Sequence, residues 1–214
     1  MKRIITTVAA SLLAIGLLAA TGTSQAGATH RPKERPTIAG IVARSGGEFD
    51  RNRHDYDILL NAVSAAGLVD TLNTPGLDVT VWAPNDAAFV RLAQDLGVEG
   101  NDERVAFEAI VATLTALGGG DPLPLLTSIL TYHVTPGARG VWNVLFTHEF
   151  PTLQGATIGR NFRSWTSILD LVDKEPGLED PALTFPIGVR ASNGVIHTID
   201  RVLIPVDLDA VPNP

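Results

Sequence analysis

The sequence predicts an α+β fold in a single domain, residues 38–206, with helices in the first half of the chain and short strands in the second. Two observations predict it. Apolar residues recur at helical spacing up to about Val134, and short segments rich in Gly, Thr, Val and Pro follow. Helices and strands that are segregated along a chain are typical of α+β domains. The sequence has no internal repeat, so one domain accounts for the pattern.

The first 26 residues have the three-part pattern of a secretory signal peptide. Lys2 and Arg3 precede an uncharged apolar run, and Ser24 and Ala26 occupy the small-residue positions before a cleavage point. We therefore expect cleavage after Ala26 and a secreted, extracellular protein, with a periplasm or the cell surface as alternative destinations. The alternative to cleavage is a membrane anchor. No later stretch of the sequence is long and apolar enough to span a bilayer.

A polar segment with two prolines, residues 27–37, is expected to be a linker. Four helices are predicted after it, because apolar residues recur on one helical face and glycine follows three of the four segments. These segments cover residues 58–66, 88–96, 105–117 and 122–130. Asp55 or Asp57 is expected to cap the first helix, and Asn85 or Asp86 the second.

The strands are predicted from β-favouring residues between turn signals. One strand, residues 78–82, lies between the first two of these helices and stops before Pro84. The others cover residues 153–159, 168–172, 183–189 and 195–204. Asn193 and Gly194 are expected to form a tight turn with positive φ before the last strand. Residues 207–214 remain as a C-terminal tail.

Three sequence blocks stand out together. Residues 80–89 read Thr-Val-Trp-Ala-Pro-Asn-Asp-Ala-Ala-Phe, residues 132–134 read Tyr-His-Val, and residues 192–205 read Ser-Asn-Gly-Val-Ile-His-Thr-Ile-Asp-Arg-Val-Leu-Ile-Pro. In order and content they resemble the fasciclin domain, with its two homology boxes and the Tyr-His pair between them. The resemblance extends over nearly the whole chain after the signal peptide and linker.

The chain also departs from the family pattern. Trp82 stands where Phe is usual, and Asn85 where Thr or Ser is usual. Residues 97–122 and 170–181 look longer than in a typical member, and we expect both segments to be insertions in surface loops.

The resemblance implies a helix-flanked β-sandwich or β-wedge that mediates cell adhesion or extracellular matrix contacts and is not an enzyme. It implies a protein or matrix partner at the cell surface and no cofactor. In some animal members the Tyr-His pair has been linked to receptor adhesion, which makes Tyr132 and His133 candidates for partner binding. The alternative is that both are structural, because a buried Tyr packs its ring and a buried His satisfies a polar partner.

Four further residues complete the candidate set of binding or structural positions: Asp86, Asn193, Gly194 and His197. Because His133 and His197 lie next to or within apolar runs, we expect both to be buried, hydrogen-bonded and unreactive. Burial disfavours the charged imidazole, so the pKa of each should lie below its unfolded value.

The composition excludes several classes of function. The chain has no Cys, which excludes disulfides, thiolate metal sites and a Cys nucleophile. A formal net charge of -7 argues against a nucleic-acid binder that neutralises phosphates. No Gly-x-Ser-x-Gly motif occurs, and Thr152 replaces the second His of the zinc-protease pattern that His148 and Glu149 begin. Residues 52–57 offer metal ligands, but helix capping within a solvated charge cluster is the preferred interpretation, so we predict no metal site.

Two other functions stay open. The second hypothesis is an extracytoplasmic carrier of a small ligand or lipid that uses a cleft between the helices and the sheets. The third is a hydrolase, which the missing motifs make the weakest. A large dry pocket would favour the carrier, whereas an exposed apolar patch with a polar rim would favour adhesion.

Overall fold

The computed structural model describes residues 34–161 and 169–206. The predicted signal peptide, residues 27–33 of the predicted linker, the first position of the strand predicted at 168–172 and the predicted tail 207–214 lie outside the described residues. Among the described residues, no helix combines the length and the apolar character that crossing a membrane requires.

The described residues form helices and strands in a mixed order, and the fold is α+β. The helices are α1 (Ile38–Ser45), α2 (Asp57–Ala65), α3 (Val69–Asn73), α4 (Asp86–Asp95), α5 (Glu103–Leu117), α6 (Leu123–Tyr132) and α7 (Val141–Phe146). The strands are β1 (Val79–Pro84), β2 (Val134–Pro136), β3 (Glu149–Pro151), β4 (Thr157–Asn161), β5 (Asp170–Val172), β6 (Val189–Arg190) and β7 (Gly194–Ile199).

The first sheet brings the three fasciclin-like blocks together. Its strand order is β2-β1-β7-β6, with β1 parallel to β7 and the other pairs antiparallel. Trp82 of the first block lies opposite His197 of the third, and Val81 lies opposite Val134 of the second. The first and third blocks are more than a hundred residues apart in the sequence and nevertheless form neighbouring strands.

The second sheet has the order β3-β4-β5, with all pairs antiparallel. Two apolar cores correspond to this arrangement. One lies among α1, α2, α4, α5, α6 and the first sheet, and the other joins β1 to the second sheet. In the second core, Trp82 packs edge-on against Phe150, with ring centroids 4.9 Å apart, and both side chains are fully buried. The two sheets share this core, as the predicted sandwich or wedge requires.

The four predicted helices correspond to α2, α4, α5 and α6, and each begins and ends within two residues of the expected positions. Asn85 caps α4, as predicted, because its side chain accepts a hydrogen bond from the Ala88 N–H. Gly67 and Gly97 follow α2 and α4 with φ of 67° and 90°, a conformation that glycine adopts without strain.

The expectation that residues 97–122 and 170–181 are surface loops is wrong in large part. Residues 97–122 contain α5, which packs against α4 and buries Ala106, Ile110 and Leu114. The helical spacing predicted for residues 105–117 is therefore correct, and this segment belongs to the core. Residues 170–181 begin with strand β5 and only then become a loop.

The second half of the chain differs from the strand prediction in several places. Helix α7 lies in it, and β3 forms where no strand is expected. The strand predicted at 153–159 is β4, which begins only at Thr157, and the last strand ends at Ile199 instead of position 204. Of residues 183–189, only the last enters a strand, although Leu183 bridges to Ile199. Short elements of two to six residues carry too little periodicity to be located from sequence.

Candidate functional site

The Tyr-His pair at the end of α6 is buried. Tyr132 has no exposed surface, and its hydroxyl donates a hydrogen bond to the Thr157 carbonyl oxygen over 3.2 Å. Burial raises the pKa of Tyr132 well above its usual value. Because Thr157 belongs to β4, this contact ties α6 to the second sheet.

His133 joins α6 to the end of the domain through both ring nitrogens. The Leu203 N–H donates to Nε2 over 3.0 Å, so Nε2 is the acceptor and Nδ1 carries the proton. Nδ1 then donates to the Ile129 carbonyl oxygen over 2.8 Å. Burial lowers the pKa of His133 to about 4. A neutral imidazole with both nitrogens occupied is a structural cross-link.

His197 is fully buried in β7 and has the opposite tautomer. The Gly188 N–H donates to Nδ1 over 3.2 Å, so Nε2 carries the proton and donates to the Arg139 carbonyl oxygen over 2.8 Å. The ring stacks on Trp82 at a centroid distance of 5.4 Å. Burial also lowers the pKa of His197. The expectation that both histidines are buried and hydrogen-bonded is confirmed.

Both the oxygen and the nitrogen of the Asn193 side-chain amide form hydrogen bonds to backbone groups of other segments. Its Oδ1 accepts the Ile38 N–H at the start of α1 over 2.9 Å. Its amide nitrogen donates to the carbonyl oxygens of Leu72 and Thr74, at the end of α3, over 2.9 and 3.1 Å. Asn193 therefore positions α1 and α3 against the β6–β7 hairpin.

Gly194 is required for a reason that the sequence prediction missed. The predicted hairpin is present, and the Ala191 N–H donates to the Gly194 carbonyl oxygen. Gly194 begins β7 with φ 158°, a positive value as predicted. A Cβ atom there would lie 2.3 Å from the Val79 carbonyl oxygen and 2.8 Å from Ile38 Cδ1. The positive φ and the close approach of β1 both favour glycine at this position, and the close approach is what the sequence did not indicate.

Asp86 caps a helix that is distant in sequence. Its two carboxylate oxygens accept the N–H groups of Asp57 and Ile58, over 3.0 and 2.8 Å, at the start of α2. The prediction that Asp55 or Asp57 caps this helix is wrong, because the N-cap is Tyr56 and no local side chain caps it.

Asp55 and Asp57 are not solvated either, since both are at least 95% buried. Burial, together with the neighbouring Asp55 carboxyl, raises the pKa of Asp86 to about 8. Residues 52–54 before them are exposed, so the solvated part of this segment ends at His54.

A groove of about 740 Å³ lies beside the start of the third block. Asn193 and Gly194 line it, together with Arg35, Arg190 and Trp142. Of the six candidate residues, only Gly194 is partly exposed. Tyr132 and His133 are therefore not on the accessible surface.

Trp142, which lines this groove, is one of three strongly exposed aromatic residues in the part of the chain that the structure describes. Trp142 and Phe146 of α7 are 74% and 76% exposed, one helical turn apart, and Phe185 is 73% exposed. Gly188, three residues after Phe185, packs against α7. A Cβ atom on Gly188 would lie 2.8 Å from Val141 Cγ2. Sequence reasoning missed α7 because no helix or strand was predicted at residues 141–146. Trp142 and Phe146 are four positions apart, and this helical spacing is the sequence signal that could have indicated α7.

Two apolar cavities bear on the carrier hypothesis. One, between α1, α2 and α3, has a volume of about 110 Å³, and the other, beside α5 and α6, about 150 Å³. Pockets that enclose small molecules usually measure about 300–1,000 Å³. Neither cavity has room for a lipid chain in this conformation.

A mixed two-sheet core, helices packed on one side and the parallel β1–β7 pair define this molecule as a fasciclin-type domain. Residues 54–205 match the sequence model of the fasciclin domain, and the chain belongs to that family.

Several relatives share this domain. The chain is 31% identical over 150 residues to the uncharacterized protein sll1735 of Synechocystis, covering 70% of this chain and 89% of the relative. It is 31% identical over 186 residues to the cell surface glycolipoprotein MPB83 of Mycobacterium bovis, covering 83% and 68%. It is 33% identical over 138 residues to the immunogenic protein MPB70 of the same species, covering 64% and 54%.

Among solved structures, a FAS1 domain pair from the insect cell adhesion molecule fasciclin I matches with a TM-score of 0.54 and 15% identity, over 80% of this chain and 51% of that chain. This match supports the fold. The family and the cell-surface relatives together suggest an extracellular adhesion-type module.

Proposed function

We propose that the protein is a secreted, non-enzymatic binding module that mediates adhesion through a protein or matrix partner. The observation that carries the proposal is the aromatic wall, the exposed side chains of Trp142, Phe146 and Phe185, of which Trp142 lines the groove. Exposed apolar surface with a polar rim is typical of protein interaction sites. Trp and Arg are also the residues that most often dominate binding energy at interfaces, and Arg35 and Arg190 line the same groove.

The extracellular compartment belongs to the same proposal. The relatives that are named cell surface glycolipoproteins support it, as does the signal-like pattern of residues 1–26. We propose that residues 1–26 are removed, that 27–37 form a linker and that 38–206 form the binding domain. N-terminal sequencing of material recovered from culture medium should start at Gly27, and a start at Met1 would contradict the cleavage.

The chemistry of the two histidines supports a non-enzymatic role. A general base needs a free ring nitrogen that faces a substrate. In His133 and His197 both nitrogens are already occupied by backbone groups. The rival carrier function has two apolar cavities of about 110 and 150 Å³ in its favour, but their size fits no lipid.

The test compares adhesion by the wild type with that of a Trp142→Ser, Phe146→Ser double variant. Beads coated with either protein are incubated with cells and with solubilised surface and matrix proteins, and captured partners are identified after cross-linking. We expect the double variant to lose adhesion at least about tenfold, because hot-spot residues dominate interfaces. Leu123→Ser is the control, since Leu123 is also exposed, at 46%, but lies on α6 away from the groove lining.

The outcome that would overturn the proposal is a folded double variant that adheres as well as the wild type. Extraction of the purified protein with organic solvent tests the carrier. A stoichiometric apolar ligand in the extract would favour the carrier over the adhesion module.

A further inference from the structure

A cluster of buried carboxylates lies at the start of α2, and none of its members lines the groove. Asp55, Asp57, Asp86 and Glu103 are exposed by 5%, 0%, 0% and 1%, and the exposed Asp50 lies beside them. They come from the loop after α1, from α2 and from the first residues of α4 and α5. We propose that this cluster binds one Ca²⁺ ion, centred on Asp55.

The oxygen atoms are close enough to share an ion. Ligand oxygens of Asp55, Asp57 and Asp86 lie within 4.8 Å of one another, and so do those of Asp50, Asp55 and Glu103. Asp55 belongs to both sets, which makes it the natural centre of one site. Ca²⁺ binds six to eight oxygens at about 2.3–2.6 Å, so ligand oxygens around it are separated by distances of this order.

Three buried oxygens in the cluster have no hydrogen-bond partner: Asp55 Oδ1, Asp57 Oδ2 and Glu103 Oε1. In each carboxylate the second oxygen is held in place. The donors are the Asn52 side-chain amide to Asp55, the Gly47 N–H to Asp57 and the Asp50 N–H to Glu103. Each group is thus oriented by one hydrogen bond and leaves its other oxygen to a ligand. An unsatisfied buried acceptor is costly, and a cation removes that cost.

The cluster has no ion-pair partner among the described residues. Of the ion pairs formed within residues 34–161 and 169–206, none includes any of these five carboxylates. The two nearby arginines have other contacts. Arg53 donates to the Asn101 side chain, and the Arg104 guanidinium lies over the Phe49 ring. Burial raises the pKa of Asp57 and of Glu103, as expected for charges without a counter-ion.

The donor set selects the metal. The ligands are carboxylate oxygens, with no sulfur and no imidazole among them, which suits Ca²⁺ or Mg²⁺ and not Zn²⁺ or Cu²⁺. Mg²⁺ demands a small octahedral site and usually keeps several waters, whereas Ca²⁺ accepts many carboxylates in flexible geometry. A dry cluster of four buried acids therefore fits Ca²⁺ better.

The loop between α1 and α2 closes over this cluster. A Cβ atom on Gly46 would lie 1.9 Å from Asp57 Oδ1, so the backbone passes directly above the carboxylate. Since Gly47, Asp50 and Asn52 in this loop hydrogen-bond the cluster, an ion would fix the loop together with the starts of α2 and α5. We therefore expect Ca²⁺ to stabilise the fold.

The first test is calorimetric titration of the EDTA-treated, dialysed protein with CaCl₂ and, separately, with MgCl₂. We expect saturable Ca²⁺ binding at about one ion per chain, a melting temperature that rises by several degrees, and binding of Mg²⁺ at least about tenfold weaker. Extracellular calcium modules bind with Kd up to about 1 mM, so the titration extends to about 10 mM. The absence of binding by the folded protein at that concentration would overturn the inference. Tighter binding of Mg²⁺ would do the same.

The second test uses variants of the ligands. We expect Asp55→Asn to lower Ca²⁺ affinity at least about tenfold, while in EDTA it melts no lower than the wild type, because it removes an unpaired buried charge. Glu103→Gln should weaken binding in the same way. Glu108→Gln is the matched control, an exposed Glu on the same helix, and should bind Ca²⁺ as the wild type does. Unchanged affinity in Asp55→Asn would contradict a site at this cluster.

Discussion

The first sheet and helix α7 lie next to each other but are built in opposite ways. In the sheet, Trp82, His133 and His197 are buried, and each polar atom of the two imidazoles has a backbone partner. On α7, Trp142 and Phe146 are about three-quarters exposed. The residues that carry the family resemblance therefore mostly hold the scaffold, whereas the strongly exposed aromatic residues lie outside those blocks. Adhesion and stability should respond to different substitutions.

The largest effect on stability should come from the most buried aromatic residue. Trp82 packs against Phe150 and His197, and its indole N–H donates to the Thr135 hydroxyl over 3.1 Å. We expect Trp82→Ala to lower the free energy of unfolding by about 3–5 kcal/mol, from lost packing and the cavity that remains. Urea denaturation followed by circular dichroism measures this. A loss below about 1 kcal/mol would mean that the sheet does not depend on this core.

The next effect is a pH dependence carried by His133. Its folded pKa is about 4, below the ordinary histidine pKa of 6.5, so the unfolded state binds more protons between these two pH values. Its contribution to stability is present above pH 6.5, declines as pH falls toward 4 and levels off below that, by about 3 kcal/mol in all.

The measurement is the free energy of unfolding from pH 7.5 to 4, for the wild type and His133→Gln. Other groups titrate in both proteins, so the difference between the two curves isolates this imidazole. We expect the difference to shrink as pH falls. A constant difference would contradict a buried neutral His133.

A smaller effect should come from the close approach of β1 and β7. The side chain in Gly194→Val would meet the Val79 carbonyl oxygen, and we expect a loss of about 1–3 kcal/mol from the backbone shift that relieves the clash. Gly47→Ala is the control, because a Cβ there meets nothing within 4 Å. Melting temperatures of both variants give the comparison. Equal melting temperatures would argue that β7 lies farther from β1.

The smallest effect on stability should come from the aromatic wall itself. Because Trp142 is 74% exposed, Trp142→Ala should change the free energy of unfolding by no more than about 0.5 kcal/mol. The same denaturation experiment as for Trp82→Ala provides the contrast between the two tryptophans. A loss above about 2 kcal/mol would show that α7 contributes to the core and that its aromatic residues are not a free surface.

The sequence by itself determined the elements that are long enough to carry a period. The apolar spacing located α2, α4, α5 and α6, and the three blocks indicated the fasciclin family. It also placed the Asn85 cap correctly, because that hydrogen bond joins residues three positions apart. Periodicity and caps are local properties, and a single sequence contains them in full.

Only the tertiary structure decided the roles of the individual site residues. Asp86 caps a helix that begins 29 positions earlier, and Gly194 lies against a strand more than a hundred residues away. Asp55 and Asp57 read as helix-capping candidates in the sequence, and the fold buries both of them together with Glu103. Burial and distance depend on which elements pack against each other, and the solvation of a charge is set by that packing and not by its neighbours along the chain.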